Sequence, residues 1–302
     1  MSNSQGTNIA LPTIRGSTVM IIDAIILILT SPILQRVLIA SILVAVISAT
    51  TGTFMVFRGL SFLTAGVAHA ALGGVALALF LQATGIATWF DPILGAVVFA
   101  VFVAIMTAYA GERGISQKME VAVGVSFALS MSIAVFLMYY LPPTMVPIIW
   151  GYLVGDVLLL DNLDIVLLLG VALSLVILFI LFNKEFVYVS IDMEGSTAHG
   201  MNARGYNYLM LIFAAIAIAL TIKAVGAILV YAILIAPAAA SNEVLKTVNN
   251  VIIGTFLVAL SAMLLGLTGS FGFFASPSAI AGIIAALSYI IAIQVKRYKQ
   301  TT

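Results

Sequence analysis

No cysteine occurs anywhere in the chain. Disulfides, thiolate metal sites and thiol redox chemistry are therefore excluded, and thiols say nothing about compartment. Histidine is nearly as scarce, with two residues, and charged residues make up only 8% of the chain, against about 25% in an ordinary soluble protein. A water-facing surface cannot be covered with so few charges. No GxxxxGK[ST] phosphate loop is present, so any ATP must be handled by a partner chain. There is no HExxH helix, nor serine, histidine and aspartate at matching depth, which excludes an intramembrane hydrolase. The only basic cluster is the C-terminal Lys296, Arg297 and Lys299, so nothing points to nucleic acid. Met1 to Ser17 is polar, without a basic region leading into an apolar one, so no cleaved signal peptide is expected.

What the chain has instead is apolar sequence: 63% hydrophobic residues and a mean hydropathy of +1.25. The apolar residues fall in repeated runs of about 17 to 25, the length a helix needs to cross a hydrocarbon core. Barrel strands would alternate in segments of about ten, so the fold class is an all-α membrane protein. The runs predict about nine transmembrane helices: Ile33 to Phe57, Leu60 to Leu81, Pro92 to Ala110, Val121 to Tyr140, Leu163 to Phe182, Tyr206 to Ile222, Val225 to Ala240, Val251 to Gly269 and Pro277 to Val295. Thr18 to Thr30, which carries Asp23 and stops before Pro32, reads as an interfacial or re-entrant helix. Residues 1–31 are thus a polar N-terminus with that helix, and 32–302 a single membrane domain.

Basic residues favour cytoplasmic loops. A cytoplasmic C-terminus puts Arg58, Arg113, Lys118, Lys184, Arg204 and Lys246 inside, and leaves Lys223, Asp91, Asp156 and Asp161 in the outer connections. Arg15 and Arg36 also fall on the outer side. With Asp164, the outer mouth is net negative, which favours a cation as cargo. The chain is accordingly expected in the cell membrane as a multi-pass protein.

His69 lies nine residues into its span, near the bilayer centre, where an ionisable side chain is a functional candidate. Gly66, Ala70, Gly74 and Ala78 form a small-residue stripe beside it, with Gly73 one turn on, so His69 faces other helices or a pathway and not lipid. It is either a neutral histidine bonded across a helix interface or a pathway residue, and alone it cannot make a tight metal site. Lys223 reads as a snorkelling lysine or as a gate residue. The inner stretch Asn183 to Gly205 holds Asp192, Glu194, His199, Gly200 and Arg204, which suits a short surface helix offered to a partner or a merely solvated connector. His199 reads as a surface residue.

Three stretches carry a resemblance. Arg58-Gly59-Leu60-Ser61-Phe62 followed by Val67-Ala68-His69-Ala70-Ala71-Leu72-Gly73-Gly74-Val75-Ala76, the segment from Asp192-Met193-Glu194 to Arg204, and Val225-Gly226-Ala227-Ile228-Leu229-Val230 leading to Pro237-Ala238-Ala239 are similar, in order and spacing, to the permease subunits of zinc/manganese/iron-type ATP-binding-cassette importers. The resemblance implies a homodimer in the lipid bilayer, two ATPase subunits docked on inner loops, and an extracellular metal-binding protein that delivers the cargo. The chain itself would hold no cofactor, the transported divalent metal ion apart. It further implies that Asp192, Glu194, Gly200 and Arg204 form the coupling element. From their depth and spacing, His69, Gly66, Gly73 and Lys223 are the candidates for the transport path. Many members carry aspartate one turn before the motif histidine; here Ala65 stands there, and proline is common where Gly73 stands. The alternatives are a secondary cation transporter without ATPase, or a vitamin or siderophore importer permease.

Overall fold

Backbone groups that leave water must be paired within their own segment, and the apolar runs meet that demand as helices. The computed structural model describes residues 31–111, 116–155, 157–273 and 275–301. The expected helix at 18–30, Arg15, Arg113 and Asp156 lie outside the described residues. The elements are α1 (Pro32–Ile47), a π-helical turn (Ser48–Gly52), α2 (Thr53–Phe57), α3 (Ser61–Ala83), α4 (Pro92–Ala110), α5 (Ser116–Met138), α6 (Val146–Val154), a 3₁₀ turn (Val157–Leu159), α7 (Asn162–Ile191), α8 (Met193–Ala198), α9 (Ala203–Val225), α10 (Val230–Val244), α11 (Val248–Phe273) and α12 (Pro277–Thr301). Among the described residues, 8 helices are long and apolar enough to cross a membrane, counting Pro32–Phe57 as one, and α10 is a shorter apolar helix. The expected nine spans are therefore eight full crossings and one short one.

Successive spans reverse direction. Arg58, Lys184, Arg204, Lys246 and Lys296 consequently gather at a basic end, and Asp91, Asp161, Asp164 and Lys223 at an acidic end. α3 sits at the centre, with 78% of its core window buried, whereas α7 is 22% buried and turns Leu163, Val166, Leu169, Leu173 and Ile177 outward. Small residues set the spacing around α3. A Cβ on Gly74 would lie 1.9 Å from the Gly95 carbonyl oxygen of α4, and one on Gly73 would lie 2.6 Å from the Ser130 carbonyl oxygen of α5. These backbones touch because no side chain keeps them apart.

Three places depart from the sequence reading. The span expected to end at Phe182 only kinks there (φ −121, ψ 23) and continues to Ile191, so most of the expected inner loop is helix. The outer stretch 141–162 contains α6, whose Ile149 and Tyr152 are buried, so it is packed against the bundle and is not a free loop. The span expected from Val225 starts at Val230, because Gly226 (φ 93) breaks the chain. The break is satisfied by α6: the Ala227 N–H donates to the Tyr152 carbonyl at 3.0 Å and the Ile228 N–H to that of Leu153 at 3.2 Å. Irregular backbone inside a membrane protein survives only where protein encloses it in this way.

Pro237 inside α10 has no N–H to offer the Ile233 carbonyl four residues back. Ser48, in the π-helical turn, supplies the missing donor, with its hydroxyl 3.1 Å from the carbonyl oxygens of both Ile233 and Leu234. Gly52, one turn later, lets the backbones meet, since a Cβ there would lie 2.0 Å from the Leu234 oxygen. Ser48→Ala should therefore cost about 1–3 kcal/mol, the penalty of a buried orphaned acceptor. A thermal-unfolding midpoint in detergent identical to that of the parent would contradict this.

Candidate functional site

His69 projects from α3 toward α5, half-buried, with its ring 5.3 Å from that of Phe127 and nearly edge-on at 76°. The approach of α3 to α5 on either side of it is set by glycines: a Cβ on Gly66 would strike Val123 at 2.3 Å, and Gly73 abuts Ser130. The predicted stripe thus splits in two, Gly66 and Gly73 facing α5 and Gly74 facing α4. The His69 Nδ1 is buried with no hydrogen-bond partner, and Ala65 offers none. No group of three or more histidine, cysteine, aspartate or glutamate side chains able to hold a metal ion occurs among the described residues.

At the acidic end Asp161, Asp164 and Lys223 come together, while Asp91 caps a separate helix. Asp161 caps α7 in a reciprocal box: its Oδ1 accepts from the Asp164 N–H at 2.9 Å, while the Asp164 Oδ2 accepts from the Asp161 N–H at 2.9 Å. Lys223, at the end of α9, donates to the Asp164 Oδ1 at 2.8 Å and stands 3.9 Å from the Asp161 Oδ2. Asp164 is 4% exposed and Asp161 61%, so only the first pairing is shielded from water. The backbone N–H of Asp164 holds the Asp161 carboxyl below the usual carboxylate range, with a smaller contribution from Lys223. Asp91 caps α4, its Oδ1 accepting from the Ile93 N–H at 2.7 Å with Pro92 in the first turn. Asp91, Asp161 and Asp164 at the acidic end therefore have structural tasks.

At the basic end Asp192 caps α8, its Oδ1 accepting from the Gly195 N–H at 2.8 Å. The helix closes after one and a half turns because Gly200 (φ 82) takes the left-handed conformation, and Asn202 then caps α9 through the Gly205 N–H at 3.0 Å. Glu194, His199 and Arg204 lie exposed on this surface. In the sequence Arg58 stands out only as part of a motif, yet its guanidinium donates to the Val189 carbonyl and lies 3.4 Å from the Met193 sulfur. The turn leading into the His69 helix is thereby fastened to the start of α8. Nothing local in the sequence announces that contact across 131 positions. The Asp161–Asp164 box, by contrast, has a local spacing that could have been read as a helix start.

Residues 30–296 match the model of the ABC 3 transport family. An uncharacterized membrane protein of Synechocystis sp. is 28% identical over 95% of this chain and 99% of its own length. The manganese import system permease protein ScaB of Streptococcus gordonii is 27% identical over 85% of this chain and 89% of its own. Among solved structures, PsaBC from Streptococcus pneumoniae in complex with Fab superposes with a TM-score of 0.77 at 26% identity, covering 90% of this chain and 95% of that one.

Proposed function

Because the chain belongs to the ABC 3 transport family, we propose that it is the membrane-spanning permease of an ATP-driven importer that brings a divalent metal cation (zinc, manganese or iron) into the cytoplasm. The observation that carries this reading is the family match over residues 30–296 of a helical bundle that has no nucleotide-binding loop of its own. Two copies of the chain span the bilayer, with the C-terminus in the cytoplasm, the orientation that the distribution of basic residues favours. ATPase subunits dock on α8 at the basic end, and an extracellular metal-binding protein docks at the acidic end.

In this reading nucleotide binding moves α8, with Asp192 and Gly200 defining its ends and Glu194 and Arg204 facing the ATPase. The movement reaches α3 through Arg58. His69 flanks the path on α3, where Gly66 and Gly73 hold that helix against α5, and Lys223 with Asp161 and Asp91 sets the charge of the outer mouth. A single imidazole with Ala65 beside it does not make a multidentate site. The cation passes mostly hydrated, and His69 acts as one transient contact.

Reversing the charge of Glu194 (Glu194→Lys) should reduce metal moved per ATP hydrolysed on the order of tenfold, the equivalent of about 1.4 kcal/mol of docking energy. Unchanged coupling in reconstituted vesicles would remove α8 from the mechanism. His69→Ala should lower uptake by roughly the same factor while the complex still assembles, because a mid-membrane imidazole is kept for its polarity. Full activity of that variant would make His69 a packing residue.

A further inference from the structure

Asn207 stands in the second turn of α9 with none of its surface exposed, and neither its Oδ1 nor its Nδ2 has a hydrogen-bond partner. Leu211, Ala214 and Ile218 follow it along the buried face of that helix at helical spacing. A carboxamide can donate two hydrogen bonds and accept two, and inside a bundle of spans it ordinarily finds a partner on a neighbouring helix. Burying it with every site unused is costly, whereas a leucine of similar size carries no such cost. Asn207 therefore lowers the stability of the arrangement described here. Proteins keep such breaches of local rule mostly where function needs them.

The imbalance extends over one half of the molecule. Among the described residues, the buried side-chain atoms without a partner belong to Thr51, Arg58, Thr64, His69, Asn207 and Ser241, all in the half of the bundle toward the basic end. The groups at the acidic end are paired: Lys223 with Asp164, the Gln82 Nε2 with the Phe90 carbonyl at 3.0 Å, and the Ser276 and Ser278 hydroxyls with each other at 2.8 Å. The basic half is where α8 joins the bundle. Residues 199–202 are the whole link from α8 to α9, and Gly200 within it takes φ 82 with open space where a Cβ would stand. A shift of α8 accordingly turns the start of α9, which carries Asn207. On α3, which packs against α9, Thr64 is fully buried in the first turn with its hydroxyl unpaired.

We infer that Asn207 is a positioning residue of the coupling step, unpaired in this arrangement and bonded to Thr64 of α3 once the α8–α9 corner turns. The orphaned carboxamide raises the free energy of the resting arrangement, so the turned one is reached at less cost. The part this plays in transport rests on the importer reading above; the cost to stability and the local motion do not.

The test uses Asn207→Leu and Thr64→Val, made singly and together in the full chain. In detergent each should raise the thermal-unfolding midpoint by about 2–4 °C, and the two gains should add, because the side chains are not paired in this arrangement. Amide hydrogen exchange over residues 199–207 should slow about tenfold in Asn207→Leu, while that of Ala227 and Ile228 at the other end stays as in the parent. In vesicles with the ATPase and binding protein, metal moved per ATP should fall about tenfold for either single variant and no further for the double, since each removes the same bond. A lower midpoint for Asn207→Leu would show its carboxamide already bonded through a buried water and overturn the inference. A higher midpoint with exchange and coupling unchanged would make Asn207 an idle cost and overturn it equally. A further loss of coupling in the double variant would remove Thr64 as the partner. If the parent itself moves no metal with ATP while the midpoint and exchange results hold, the importer reading fails and the local switch stands.

Discussion

Gly226→Val should leave no folded protein. Gly226 sits at φ 93, where a side chain is strained whatever the space. A Cβ there would also lie 2.1 Å from the Val154 carbonyl oxygen and 2.7 Å from the Gly155 nitrogen. Those atoms are backbone in the turn that supplies the hydrogen bonds for Ala227 and Ile228, so relief of the clash would orphan buried donors as well. Strain of about 1–3 kcal/mol and overpacking of similar size add to those lost bonds, a total comparable to the roughly 5–15 kcal/mol that holds a domain together. Gly124→Val is the control, because a Cβ at Gly124 meets nothing within 4 Å. Monodisperse elution of the Gly226 variant in detergent would show that the α6–α10 junction is not what holds that end of the bundle.

Lys223→Met should be the most damaging change of a charged residue. It leaves the Asp164 carboxylate, 4% exposed, without its cation. Breaking one side of a buried ion pair costs about 3–5 kcal/mol, whereas replacing both partners can be nearly neutral. The double variant Lys223→Met with Asp164→Asn should therefore recover most of the lost thermal stability. If the single variant melts with the parent, the pair is a solvent-screened contact. If the double variant is no better than the single, Lys223 stabilises by packing and not by charge.

The parts of the fold that depend on length alone were legible in the sequence. Each long apolar run became a helix, and the alternating basic and acidic connections became two distinct ends. The parts that depend on which side chain meets which were not. In lipid an apolar residue is welcome on any face, so hydropathy does not say that Tyr152 is buried while Trp150 is 56% exposed. Pro237 stood in the sequence only as part of a motif, and the donor that compensates for it, Ser48, lies 185 positions away from Ile233.

The candidate site divides in the same manner. His69 could be singled out because an ionisable residue in the middle of an apolar run is rare, and the neighbouring glycines pointed it toward other helices or a pathway and away from lipid. Lys223 suggested snorkelling or gating, whereas the structure holds it on Asp164, a partner 59 residues earlier. The Lys296–Glu243 pair was equally hidden, because each residue alone looks like an ordinary charge at a helix end.

The most direct test of the importer assignment is metal-stimulated ATPase activity of this chain, purified in lipid with an ATP-binding-cassette ATPase subunit and an extracellular binding protein, across zinc, manganese and ferrous iron. The expected result is stimulation by a divalent ion that disappears when the binding protein is omitted. If no ATPase associates with the chain and ion uptake is instead driven by a proton or sodium gradient, the assignment is contradicted.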